Sequence, residues 1–150
     1  KYQAITWGVP INQTIEGYIE RHRINRKKMS FNKEEKGKFS KTTIRLIKSF
    51  QNASLVECSL DTGRTHQIRL HLTSVDAPIV GDEVYGKNRV SKYGLDKKNF
   101  NIFLILKNFQ RQALHATHLG FFHPILKKNM EFNAKLPDDM SNLLDLLLKH

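Results

Sequence analysis

Between Gly63 and His71 the chain sets two arginines, two histidines and a glutamine among apolar residues (Gly63-Arg64-Thr65-His66-Gln67-Ile68-Arg69-Leu70-His71). Guanidinium groups hold carboxylates and phosphates through paired hydrogen bonds, and imidazoles share protons near neutral pH. The segment therefore has the means to grip an anion and organise a proton. Gly63 can supply an unusual backbone conformation and Thr65 is a candidate N-cap. Ile68, Leu72 and Val75 fall at i, i+4 and i+7, which predicts a helix stopped by Asp76-Ala77-Pro78. Arg69 lies roughly 100° from Ile68 around that helix, with Leu70 nearly opposite Ile68's stripe. The helix is expected to pack on more than one side and to bury Arg69 in part. A buried guanidinium needs an anionic partner. Burial alone leaves two sources open: an acid of this chain, kept for architecture, or a group from outside it. Glu57 is expected to point away from the Val56 and Cys58 face, and Asp82 and Glu83 lie beyond a turn, which makes an outside partner attractive.

The histidines do not spell a metal site. His66 and His71 are five residues apart rather than four, and His115 and His118 fall on opposite faces if Ala113 to Phe122 is a strand. Capping, hydrogen bonding or phosphate contact is the expectation for all four.

The elements that must position these groups are mostly strands. Tyr2 to Val9 alternates, with Ile5, Trp7 and Val9 on one face and Tyr2, Ala4 and Thr6 on the other, until Gly8 and Pro10 end it. Arg21 to Lys28 (RHRINRKK) has no helical period and is expected to form an extended arm or hairpin, with Glu34 to Lys38 as a turn. Thr42 to Phe50 and Ala53 to Leu60 predict an antiparallel hairpin around Gln51-Asn52. Val56, Cys58 and Leu60 share one face of its second strand. Ile79 to Tyr85 is a short apolar segment broken by Gly81. Lys87 to Gln112 is the least legible stretch, and Phe103 to Leu106 fits strand or helix. Ala113 to Phe122 and Met130 to Ala134 read as strands. A final helix has Asp138 and Asp139 in its first turn, a stripe of Met140, Leu143, Leu144 and Leu147, and Lys149 near its end. Strands outnumber helices, so the fold class expected is α+β, a mainly antiparallel or mixed sheet with a few flanking helices.

Length and charge narrow the partners. The 150 residues suit one domain with a core of its own. No apolar run reaches the length of a membrane span. The lone Cys58 excludes an internal disulfide and a Cys-rich zinc site, and suggests a reducing cytoplasm. The chain opens on Lys1 rather than Met, with structure expected from Tyr2, so the natural N-terminus is expected to lie upstream. Formal net charge is +11, and residues 21–48 hold eleven Lys and Arg against Glu34 and Glu35. A field so concentrated attracts polyanions, and phosphate is the ligand that rewards it.

TGRTHQIRLHL, with PIVGDEVYG from Pro78 to Gly86, resembles the signature of the RluA/RluD family of RNA pseudouridine synthases. KYQAITWG is similar to the family's tyrosine-bearing strand and RHRINRKKM to its basic arm. SLVECSLDTGRTHQIRLHL is similar to its strand-to-helix core, and RQALHATHLGFFHP and LPDDM to its closing elements. The resemblance implies isomerisation of uridine to pseudouridine in RNA, most naturally large-subunit ribosomal RNA, with no cofactor and no metal. It implies Tyr2 and Arg69 as catalytic residues: a tyrosine on the uracil, and an arginine paired with a nucleophilic aspartate. RNA contacts are expected from Arg21, Arg23, Arg26, Lys27, Lys28, Arg64, Thr65, His66 and Gln67. The family's aspartate sits in an H-R-L-D-type motif upstream of the tyrosine strand, and no such motif occurs here. Ala77 stands where the family commonly has histidine. The expectation is therefore the C-terminal portion of a cytoplasmic, monomeric enzyme's catalytic domain, inactive alone, with the nucleophile and any N-terminal RNA-binding domain upstream. The alternatives are a non-catalytic RNA-binding module and, with less support, a DNA-binding domain.

Overall fold

Alternation of apolar and polar residues drives more of the chain into strands than into helices. The computed structural model describes residues 1–86 and 100–149. Strands β1 (Tyr2–Trp7), β2 (Gln13–Arg21), β3 (Met29–Asn32), β4 (Lys38–Ser49), β5 (Ala53–Leu60) and β6 (Leu114–Ala116) form one sheet in the order β3-β2-β4-β5-β1-β6. Every pairing in it is antiparallel. Strands β7 (His118–His123) and β8 (Lys128–Asn133) make a separate antiparallel pair. Helices α1 (Gln67–Ser74), α2 (Phe100–Lys107) and α3 (Asp138–Leu148) complete an α+β architecture. None of the described helices is long and apolar enough to cross a membrane.

β1 carries the expected two faces, and both are covered. Tyr2, Ala4 and Thr6 lie opposite Cys58, Val56 and Ser54 of β5, so these six share one face. The same face continues onto Ile44 and Thr42 of β4, which supports α1. On the other face Ile5 is fully buried and the Trp7 ring packs 5.7 Å from that of Phe103 in α2. Burying each such side chain stabilises the fold by about 1.5–3 kcal/mol. Cys58 lies in this core, where burial pushes its thiol up to about 12 and leaves it unreactive.

Several boundaries differ from the sequence reading. β2 was not anticipated, because its alternation of Ile15, Gly17 and Ile19 is interrupted by glycine. Gly17 is there for packing: the Phe31 ring lies over it, and a Cβ would run into that ring. The basic run becomes the loop of the β2–β3 hairpin, residues 22–28, and β4 starts at Lys38 rather than Thr42. A bulge between Leu46 and Lys48 ends the regular alternation, so Phe50 falls beyond the strand. The single strand expected over Ala113 to Phe122 is two, because the N–H groups of Thr117 and His118 both turn to the Lys1 carbonyl oxygen and the chain passes into the second sheet. Of residues 87–112, only the part from Phe100 onward is described, and Phe103 to Leu106 is helical.

Polar side chains fasten α1 to β4. Gln67 Nε2 donates to the Lys41 carbonyl and to Thr42 Oγ1, both at 2.9 Å. Thr42 Oγ1 lies 2.8 Å from His71 Nδ1, and His71 Nε2 lies 3.0 Å from Ser40 Oγ, which donates to the Gly17 carbonyl. Only one proton arrangement satisfies every member: Thr42 donates to Nδ1, and Nε2–H donates to Ser40. A protonated imidazole would face the Thr42 hydroxyl with a second donor. Burial, then the charge of Lys33, lowers the His71 pKa from 6.5 to about 4. The unfolded chain therefore binds more protons between those values. This contribution to stability is complete above about pH 6.5 and is lost as pH falls toward 4. Urea unfolding is expected to show a smaller drop in midpoint between about pH 7 and about pH 5 for His71→Asn than for the wild type; equal drops would contradict this assignment.

Candidate active site

The turn that leads into α1 is built by a side chain other than the one expected. Thr65 is exposed and makes no cap; His66 is the N-cap residue, in the left-handed region with φ 60°. No side chain caps the helix; Gln67 instead braces the turn before it, its Oε1 accepting the Arg64 N–H at 2.9 Å and the Thr62 hydroxyl at 2.8 Å. Both ends of the Gln67 amide are thus engaged within the chain, and its role in the fold is to hold this turn. Gly63 has an ordinary φ, and a Cβ on it would meet open space, so the unusual conformation expected of it belongs to His66.

Arg69 finds its partner inside the chain. Its Nε donates to Asp82 Oδ2 at 2.7 Å and its Nη2 to Asp82 Oδ1 at 2.9 Å. The attraction of an outside partner gave way because residues 78–86 fold back beside α1. The side chains are 12% and 1% exposed, so the pair is nearly dry. Asp82 Oδ1 also accepts the N–H groups of Val84 and Tyr85. Burial pushes the Asp82 carboxyl up, but hydrogen bonds from Arg69 and Tyr85, the charge of Arg69 and the Val84 N–H outweigh it, and the pKa is lowered. Leu70 and Ile68 are both buried, as expected of a helix packed on more than one side. The ring of Tyr85 lies 4.7 Å from the Arg69 guanidinium carbon.

Tyr2 and Arg69 line one open cleft of about 310 Å³, walled by Leu60, Leu114 and Ile68 and bordered by His66. Its size is at the lower end of the range for ligand pockets, about 300–1,000 Å³. Ala4 and Thr6, expected to leave room beside Tyr2, are fully buried and take no part in the wall. A second, larger hollow of about 720 Å³ is lined by Arg21, Arg26, Lys27, Lys38, Arg64 and His66, among others. Gly63, Arg64 and His66 border both spaces, so the basic groove adjoins the cleft. The exposed Thr65 borders the groove.

The other expected RNA contacts are dispersed. Arg23 lies in a different recess with Glu34 and Lys36, and Lys28 Nζ donates to the Val84 carbonyl at 3.3 Å. Arg64 Nε donates to the Phe39 carbonyl at 2.8 Å, which fixes the side chain on the groove wall. Asp82 and Tyr85 were missed as site residues. Both stand in PIVGDEVYG, yet no periodicity reveals that this segment returns to α1.

Comparison with known proteins identifies the family. The family model described as RNA pseudouridylate synthase matches residues 1–74, the stretch from β1 through α1. Ribosomal large subunit pseudouridine synthase D of Zymomonas mobilis is 41% identical over 99% of this chain and 44% of its own length. The protein of the same name from Buchnera aphidicola is 43% identical over 100% of this chain and 46% of its own. The chain thus spans less than half the length of these curated relatives. Among solved structures, human RNA pseudouridylate synthase domain containing 4 superposes with a TM-score of 0.68 at 26% identity, over 98% of this chain and 61% of that one. By sequence and by fold, the chain belongs to the RNA pseudouridine synthases of the RluA/RluD family.

Proposed function

We propose that this chain supplies Tyr2 and Arg69 to the uridine-binding cleft of an RNA pseudouridine synthase, and that a longer protein adds the nucleophilic aspartate from an upstream segment. The observation that carries the reading is the joint presence of Tyr2 and Arg69 in one cleft that shares a wall with a basic groove. The relatives' names, ribosomal large subunit pseudouridine synthase D, favour large-subunit ribosomal RNA as substrate.

The reaction is an isomerisation. The bond from the ribose to a uracil nitrogen breaks, the base turns, and a ribose–carbon bond forms; that carbon gives up its proton and the freed nitrogen gains one, so the atoms balance. The target base must first come out of its stack, and a cleft lined by Leu60, Leu114 and the Tyr2 ring offers it an apolar seat. Tyr2 stacks on the uracil and takes part in proton transfer at its carbon. Arg69, already fixed by Asp82, presents its guanidinium to the attacking carboxylate and keeps it ionised and oriented. The basic groove takes the flanking phosphates.

No described residue lining the cleft is Asp or Glu, and Asp82 is 1% exposed and committed to Arg69. Those two facts favour an upstream nucleophile. They also give the second reading, a non-catalytic RNA-binding module, its one specific support.

In the full-length protein, Arg69→Ala is expected to reduce pseudouridine formation to near background while RNA binding persists; near-wild-type turnover would reject the role. The isolated chain is expected to form no pseudouridine, and measurable product would mean that the nucleophile lies within it. Replacing Arg26 and Lys27 by Ala should lower the slope of log affinity against log salt by about 0.7–0.9 for each phosphate that is no longer neutralised. An unchanged slope would remove the groove from the RNA path.

A further inference from the structure

Tyr85 makes three contacts that belong to three different parts of the site. Its ring lies 4.7 Å from the Arg69 guanidinium carbon, its hydroxyl oxygen accepts the Met29 N–H at 2.9 Å, and the same hydroxyl lies 2.8 Å from His66 Nδ1. Met29 begins β3, directly after the basic loop of residues 22–28, and Lys28 donates to the carbonyl of Val84, next to Tyr85. His66 borders both the groove and the cleft. We propose that Tyr85 is a positioning residue that couples the RNA-binding hairpin to the reaction cleft, its hydroxyl setting the hairpin and His66 and its ring setting Arg69. This rests on the enzymatic reading above.

The hydrogen bonds have only one economical direction. The Met29 N–H occupies the phenol oxygen as acceptor, so the phenol proton goes to His66 Nδ1, and the imidazole carries its own proton on Nε2. A neutral ring is favoured there: burial, then the charge of Arg69, lowers its pKa, with Asp82 opposing. The Tyr85 hydroxyl therefore holds the His66 ring where groove and cleft adjoin. An architectural tyrosine needs none of this; its ring alone fills the space beside Arg69.

The two halves of Tyr85 separate by substitution in the full-length enzyme. Tyr85→Phe keeps the ring and loses the hydroxyl; it is expected to raise KM for RNA about three- to tenfold, with a smaller change in kcat. Tyr85→Leu loses both, and kcat is expected to fall as well, with Tyr85→Phe restoring that part alone. His66→Ala added to Tyr85→Phe should raise KM by less than it does alone, since the two act as a pair. Tyr85→Phe kinetics equal to wild type, or fully additive effects with His66→Ala, would overturn the proposal. Should Tyr85→Leu fail to fold, the Tyr85→Phe and His66→Ala arms decide the matter. RNA affinity by filter binding gives a second readout. A wild type that binds RNA but forms no pseudouridine overturns the enzymatic reading, while a weaker Tyr85→Phe complex still supports coupling to the hairpin.

Discussion

A guanidinium removed almost wholly from water must be met by an anion with matching geometry, and the Arg69–Asp82 pair meets that demand with two short hydrogen bonds. Breaking such a pair from one side leaves an uncompensated charge and costs about 3–5 kcal/mol. The equally bidentate Arg111–Asp139 pair is 42% and 45% exposed, and pairs in such positions contribute about 0–1 kcal/mol. The difference is burial. Asp82 can be buried because the N–H groups of Val84 and Tyr85 and the Arg69 fork saturate it, so residues 78–86 must return to α1. That return brings Tyr85 onto Arg69 and onto His66. The orientation of Arg69 in the cleft and the path of the 78–86 segment are therefore one constraint.

A second constraint sets the tilt of α1 on the sheet. Gln67, Thr42, His71 and Ser40 form a continuous chain of hydrogen bonds from the turn before α1 to the Gly17 carbonyl. Each hydroxyl both donates and accepts, so no member can be replaced without orphaning a neighbour. The consequence for function is positional. β1 brings Tyr2 to the cleft through its register with β5, and the Gln67 network brings Arg69 there through β4; β5, which lies between β4 and β1, joins the two halves.

Much of this was legible in the residues. β5 and α3 fall where alternation and the helical stripe predict them, and the hairpin turn at Gln51-Asn52 follows from the short gap between two apolar runs. The spacing of Ile68, Leu70 and Leu72 announced a helix covered on several sides and a partly buried Arg69. What failed did so for identifiable reasons. Segment 100–107 (FNIFLILK) is apolar nearly all round, so no period separates strand from helix. β2 hides because Gly17 replaces a core side chain under Phe31. Thr65 has the right chemistry for an N-cap, but tertiary contacts from Gln67 to β4 decided where the helix starts. The Asp82 partnership was invisible because it depends on a long-range return of the chain, which local pattern does not encode. Charge count fixes a field, and hairpin geometry fixes directions: Arg23 faces a recess with Glu34 and Lys36, and Lys28 reaches the Val84 carbonyl.

The central claim is spatial: one flipped base beside Tyr2 and Arg69, with its flanking phosphates along the groove lined by Arg21, Arg26 and Lys27. Photocrosslinking of the full-length protein to substrate RNA carrying 4-thiouridine at single positions tests it most directly. The account predicts that a label at the modified position crosslinks to the β1 segment containing Tyr2, and that labels on flanking nucleotides crosslink to the β2–β3 hairpin. A target-position label that reaches the hairpin but never β1 would contradict it.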